Sequence, residues 1–148
     1  MQQASKYRQI LLLSSNARES SVLTDILQRH VALTNASSVV EMMVLLAGNV
    51  YDVLLCDWCF DGGTWRDVII LLKEHDPSLP VIVLSPAGGE YEWLEALDSG
   101  AFDLLAAPWH KPTVIGALEH AFSSRDARIL RGSHQRLEED KSKVMSLL

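Results

Sequence analysis

The chain has 148 residues, 48% of them apolar, with 13 Lys or Arg against 19 Asp or Glu and a formal charge of -6. That size and composition suit one well-buried domain rather than two, and the acidic balance argues against a nonspecific nucleic-acid surface, which needs clustered Lys and Arg. The apolar runs are strand-sized and no basic-then-apolar leader is present, so the expectation is a cytoplasmic protein with no membrane span.

After a polar start, Ile10-Leu11-Leu12-Leu13 reads as a buried strand stopped by Ser14-Ser15-Asn16. From Ala17 to His30, Val22, Leu23, Ile26 and Leu27 recur at helical spacing, with Arg18, Glu19, Asp25, Gln28 and Arg29 largely elsewhere, an amphipathic helix. Val31-Ala32-Leu33-Thr34 is a short second strand. Ser37 or Ser38 can cap a second helix running through Val39, Val40, Met43, Leu46 and Ala47 to a stop at Gly48-Asn49.

The stretch from Tyr51 to Gly63 organises the rest. A run of branched apolar residues ends in Asp57, and a segment with two glycines follows, which reads as a third strand delivering Asp57 to a surface loop. Thr64 can cap a third helix carrying Val68, Ile69, Leu71 and Leu72, interrupted at Asp76-Pro77. Val81-Ile82-Val83-Leu84-Ser85 is a fourth strand, apolar on both faces. A fourth helix, Glu90 to Asp98, ends at Ser99-Gly100, and Phe102 to Ala106 forms a fifth strand before Ala107-Pro108. Pro112-Thr113 opens a fifth helix through Phe122.

Two-sided apolar strands alternating with helices predict an α/β fold with a parallel sheet covered on both sides. In such sheets the ligand site lies at the carboxyl ends of the strands, here Ser14-Ser15-Asn16, Asp57, Ser85 and Ala107. Residues 1–122 form this domain. Residues 123–148 form a helical extension or linker of different composition, with six Lys or Arg against four Asp or Glu. In it Leu130, Leu137 and Val144 are seven apart, but Ala127, His134 and Lys141 are mostly polar and Gly132 interrupts, leaving a coiled coil and a solvated, frayed helix as equal alternatives.

Cys56 and Cys59 have the spacing of a redox pair. Reactive pairs of this kind usually exploit a helix N-terminus, whereas Cys56 lies in a strand and Cys59 in a loop, so a structural reading is placed ahead of a redox one. The histidines show no ligand spacing. Trp58, Trp93 and Trp109 read either as a partner-binding border of the domain or as ordinary packing.

The element order and three local matches resemble the receiver domain of two-component response regulators over residues 7–122. Tyr51 to Asp57 is similar to that family's third strand and phosphoacceptor. Pro80 to Ser85 is similar to its fourth strand with Ser or Thr. Gly100-Ala101-Phe102-Asp103-Leu104-Leu105-Ala106-Ala107-Pro108 is similar to its Gly-Ala-x-Asp-Tyr-Leu-x-Lys-Pro segment. The resemblance implies a flavodoxin-like, doubly wound (βα)5 three-layer sandwich with strand order 2-1-3-4-5. It also implies phosphoryl transfer from a partner histidine kinase to Asp57, with Mg²⁺ held there and by an acidic pair after strand one.

The chain departs from that pattern at several positions. The acidic pair aligns with Ser14 and Ser15, which are neutral, and Mg²⁺ prefers carboxylates. Asp61 is an acid near Asp57 in sequence, read as turn chemistry beside Gly62-Gly63 ahead of a ligand. Pro86, which has no N–H to offer a phosphoryl group, follows Ser85. The family's lysine aligns with Ala107, and Lys111, four residues beyond, is not read as its substitute. The family's aromatic switch residue aligns with Leu104. Phosphoryl transfer depends on positioning and electrostatic stabilisation, so these losses remove most of the available catalysis.

The expectation is therefore a non-enzymatic, bacterial-type signalling module with no cofactor, Mg²⁺ being disfavoured. It has Asp57 at the phosphoacceptor position and a pocket of Ser14, Ser15, Asp61, Ser85, Pro86 and Ala107. It would act mainly through protein–protein contacts or dimerisation, with a histidine kinase or an output domain as partner and the C-terminal helix as the route to a homodimer. The alternatives are a phospho-accepting receiver with an atypical site, and a redox sensor using Cys56 and Cys59.

Overall fold

The computed structural model describes residues 7–147. In chain order the elements are β1 (Arg8–Leu13), α1 (Ala17–Leu27), β2 (Val31–Ala36), α2 (Val39–Gly48), β3 (Val53–Asp57), the short strands β4 (Cys59–Phe60) and β5 (Gly63–Thr64), α3 (Trp65–His75), β6 (Val81–Ser85), α4 (Glu90–Ser99), β7 (Asp103–Ala106) and α5 (Lys111–Leu147). The main sheet is parallel with order β2-β1-β3-β6-β7. This is the expected 2-1-3-4-5 order, with the small β4-β5 hairpin inserted after the third strand.

Side chains of a strand alternate between faces, and here the alternation divides the core in two. Leu11, Leu13, Leu54, Cys56, Val81 and Val83 meet Met42, Trp65, Val68, Ile69, Leu72 and Ala96 from α2, α3 and α4. Ile10, Leu12, Val53, Leu55, Ile82 and Leu84 meet Leu23, Leu27, Val114, Leu118 and Ala121 from α1 and α5. Both faces being covered explains why every residue of β3 and β6 is buried. Each such Leu, Ile or Val contributes about 1.5–3 kcal/mol of burial.

Several boundaries differ from the sequence expectation. Helix α1 stops at Leu27 instead of reaching His30, because Arg29 adopts a left-handed φ of 73° and the His30 N–H turns back to the Leu27 carbonyl. Strand β2 runs on to Ala36, which pairs with Leu13. Strand β3 starts at Val53, since the Asp52 carboxylate accepts from the Gln9 N–H at 2.8 Å and ties that residue to β1 from outside the strand. The loop expected after Asp57 is a hairpin in which Cys59 pairs with Thr64 and Phe60 with Gly63, turned by Gly62 at φ 93°. Thr64 then starts α3, its N–H donating to the Asp67 carboxylate at 2.9 Å.

Helix α5 is one unbroken element of 37 residues, with Gly132 inside it. Its first half is held by Val114, Ala117, Leu118 and Ala121 in the core. Its middle is held by polar contacts. Buried Arg125 donates to Ser78 Oγ at 3.0 Å and lies 3.5 Å from the Asp76 carboxylate. Arg8 of β1 forks onto both carboxylate oxygens of Asp126, at 3.1 and 2.8 Å, with its guanidinium 5.1 Å from the centre of the Phe122 ring. Beyond Arg128 the helix leaves the domain, and its large apolar side chains Ile129, Leu130, Leu137, Val144, Met145 and Leu147 are exposed.

Candidate functional site

The register of the parallel strands aligns their carboxyl ends. Leu13 lies beside Cys56, Asp57 beside Leu84, and Ser85 beside Ala106, so Ser14, Asp57, Ser85 and Ala107 share one end of the sheet, as expected from the sequence. Asp57 is the last residue of β3 and only 8% exposed. A buried carboxylate needs donors, and two are present. The Trp58 N–H gives a hydrogen bond to Asp57 Oδ1 at 2.9 Å, and the buried Ser14 hydroxyl gives one to Oδ2 at 3.2 Å. Ser14 is in turn fixed by the Asn16 N–H, 3.2 Å from its Oγ.

A further carboxyl, not anticipated from the sequence, completes the pocket. Asn16 caps α1, its side-chain oxygen accepting from the N–H groups of Arg18 and Glu19 at 3.0 and 3.1 Å. Glu19 therefore sits in the first turn of a helix that begins at the same end of the sheet as Asp57, and its half-buried carboxyl meets that of Asp57. Burial raises the Glu19 carboxyl, and the charge of Asp57 and a hydrogen bond to it raise it further, to about 7. The signal was available as the spacing Asn16-x-x-Glu19, which sets an acid three residues after a helix cap. Asp57 is thus not the lone acid that the alignment of Ser14 and Ser15 with the acidic pair implied.

The other expected residues are distributed unevenly. Ser15 is exposed beside Ser14. The Ser85 hydroxyl is buried and accepts from the Ala87 N–H at 3.4 Å, across the exposed Pro86. Gly88 follows where an added Cβ would lie 2.9 Å from Leu104 and 3.2 Å from Ser85, so the chain passes close to strand ends there. The Ala107 N–H donates to the Ser85 carbonyl at 2.9 Å, and the Ala107–Pro108 bond is cis. Asp61 lies exposed in the turn of the β4-β5 hairpin and bridges to Ser38 through its backbone, with no described contact to Asp57. Lys111 is exposed at the first position of α5. Among the described residues, no Lys or Arg pairs with Asp57 or Glu19.

The Mg²⁺ implied by the resemblance can be tested against this donor set. Two carboxyls, Asp57 and Glu19, converge, but neutral Ser14 and Ser15 stand where the resemblance places the acidic pair. No group of three or more His, Cys, Asp or Glu able to hold a metal occurs among the described residues. The set does not fit a magnesium seat of the implied kind.

The two cysteines diverge. Cys56 is fully buried in β3, with its sulfur 3.5 Å from the Asp57 carbonyl, and burial followed by the charge of Asp57 pushes its thiol far above the usual range. Cys59 is exposed on the hairpin, and both are free. The tryptophans do not form one border. Trp58 packs on the α2–α4 side, 5.6 Å from the Trp65 ring, Trp109 packs on the α1–α5 side, and Trp93 donates to Asp103 at 3.2 Å.

Comparison with known proteins gives a consistent result. A family model described as the response regulator receiver domain matches residues 10–119. The response regulator PilR of Pseudomonas aeruginosa is 31% identical over 74 residues, which are 50% of this chain and 17% of that protein. The transcriptional regulator NtrC of Salmonella typhimurium is 30% identical over 83 residues, 56% of this chain and 18% of that protein. The match thus spans less than a fifth of either relative's length. Among solved structures, the receiver domain of an HD domain-containing protein from Pseudomonas fluorescens superposes with a TM-score of 0.77 at 19% identity, covering 88% of this chain and 98% of that one. The beryllofluoride-activated NtrC4 receiver domain dimer superposes with a TM-score of 0.72 at 22% identity, covering 79% and 98%.

Proposed function

This chain belongs to the response regulator receiver domain family, and from that premise we propose that it is a pseudo-receiver: a non-enzymatic cytoplasmic signalling domain that works through protein contacts and not through a phosphorylated Asp57. One observation carries this reading. The Asp57 carboxylate is occupied by the Ser14 hydroxyl and the Trp58 N–H and faces a second carboxyl, Glu19, with no cation paired to either acid among the described residues. A phosphoryl group arriving there brings more negative charge to an acidic pocket. The lysine position holds Ala107, and Pro86 offers no N–H. Its partners in this reading are a histidine kinase or an output domain.

The test is incubation with acetyl phosphate and Mg²⁺, followed by intact-mass spectrometry and a magnesium titration read by tryptophan fluorescence, Trp58 being bonded to Asp57. The expected result is no added phosphoryl mass and no saturable fluorescence change at millimolar Mg²⁺. Stoichiometric phosphorylation lost in Asp57→Asn would replace this reading with the second one, a phospho-accepting receiver with an atypical site. Glu19 is the observation that favours that second reading, since it brings a second carboxylate to Asp57 once deprotonated. A redox pair is disfavoured by the full burial of Cys56.

A further inference from the structure

At the end of the sheet opposite Asp57 the chain forms a small cleft with two cations on its rim. Helix α3 ends at His75, and Asp76-Pro77-Ser78-Leu79-Pro80 turns the chain into β6. Two prolines stiffen that turn, and the Leu79 N–H closes it on the Asp76 carbonyl at 3.1 Å. Across the cleft Gly100 ends α4 at φ 110°, where an added Cβ would lie 3.4 Å from both Ile69 Cγ2 and Lys73 Cε. The bare glycine leaves room for the Lys73 stem. Buried Leu72, Leu79 and Val81 floor a cavity of about 50 Å³, with exposed Lys73 and Arg128 at its mouth.

The polar groups around this cavity are unevenly satisfied. Pro77 and Pro80 have no N–H, and the N–H groups of Gly100 and Phe102 donate to the carbonyls of Leu97 and Val81 at 3.1 and 2.7 Å. The Asp76 carboxylate accepts from the Ser78 hydroxyl at 3.0 Å and lies 3.5 Å from Arg125. Lys73 and Arg128, by contrast, have no hydrogen bond or ion pair among the described residues. Both can only donate, so the groups left to a ligand are cationic donors. Two like charges on one cavity repel, and a bound anion reverses that cost.

We propose that this cleft binds a phosphate dianion, either the free ion or the head group of a small phosphate monoester, between Lys73 and Arg128. Charge selects the class. A phosphate group carries about −1.5 to −2 at pH 7, which two cations match, whereas a carboxylate leaves one of them unmatched. Arg128 brings a planar fork for two oxygens and Lys73 a point charge for a third. Size agrees, because a water occupies roughly 30 Å³ in the liquid, so the cavity admits one oxyanion and leaves any ester remainder in solvent. Held there, the anion joins α3 to α5 about one turn beyond Arg125, at the root of the free helix.

The experiment titrates the full chain with inorganic phosphate, without magnesium and at constant ionic strength so that screening stays fixed, and follows the backbone amides by NMR. Saturable shifts are expected at Lys73, Gly100 and Arg128. Lys73→Met and Arg128→Met, both at exposed positions, are each expected to weaken binding at least about tenfold. Lys111→Met removes an exposed cation at the other end of the sheet and is expected to leave it unchanged. Glycerol phosphate binding as tightly as phosphate assigns the site to monoesters, and its failure to bind assigns the site to the free ion. Shifts that stay linear in phosphate, binding indifferent to Lys73→Met and Arg128→Met, an equal loss in Lys111→Met, or acetate binding as tightly as phosphate each overturn the proposal. Inorganic phosphate carries no transferable phosphoryl group, so the result is separable from the pseudo-receiver reading of Asp57.

Discussion

Glu19 and Asp57 are two acids within one pocket, and the consequence is a stability that depends on pH in an unusual direction. The folded Glu19 carboxyl binds its proton up to about pH 7 against an ordinary 4.5, because of burial first and the Asp57 charge second. A carboxyl with a raised folded pKa favours the fold below the unfolded value, and that contribution is lost as pH rises through the folded value. Stability from this residue therefore falls between about pH 4.5 and 7. Glu19→Gln is expected to match the parent at pH 4 and to exceed it at pH 8 by about 2–4 °C in Tm, a modest figure because the group is partly solvated. Melting curves of both proteins across that range check this, and a constant gap would show that the fold does not raise the Glu19 carboxyl. Asp57 itself could be picked out from the sequence, because an apolar run of strand length that ends in an acid sets that acid at the carboxyl edge of a buried sheet. Glu19 was harder to see, because an acid in a first helical turn is ordinarily a solvated capping residue.

Among the elements, β3 and β6 were legible because both of their faces are buried and nothing polar interrupts them. The β4-β5 hairpin was not, since strands of two residues have no periodicity and form only because Asp57 ends β3 against Trp58 and Gly62 turns the chain. The true end of α1 was hidden for a related reason. Leu27 is the last core contact, and the left-handed turn at Arg29 reflects the entry into β2 and not a local glycine. Helix α5 also owes its path to contacts remote in sequence, from Asp76 and Ser78 to Arg125 and from Arg8 to Asp126. Arg125→Met keeps the packing stem but removes the polar contacts, and is expected to cost about 1–2 kcal/mol in urea unfolding. Arg8→Ala breaks a more exposed pair and is expected to cost under about 1 kcal/mol. Equal costs for the two would show that burial of Arg125 adds nothing.

For the whole molecule, the domain and the free part of α5 should respond differently to concentration. If the helices pair, dimerisation adds stability by mass action, so the full chain should melt at a higher temperature as it is concentrated. A chain ended after Arg128 keeps every core contact of both sheet faces and should melt at one temperature throughout. Calorimetry over a hundredfold concentration range distinguishes these cases. The anchoring of α5 at Arg125 and Asp126 has a mechanical corollary. With a rise of 1.5 Å per residue, residues 129–147 form an arm of about 28 Å pivoting on that anchor, so a tilt of about 10° at the pivot sweeps the tip through about 5 Å. The two ion pairs at the root thus act as a fulcrum, and whatever loosens or shifts them at the edge of the sheet is magnified at the far end of the helix.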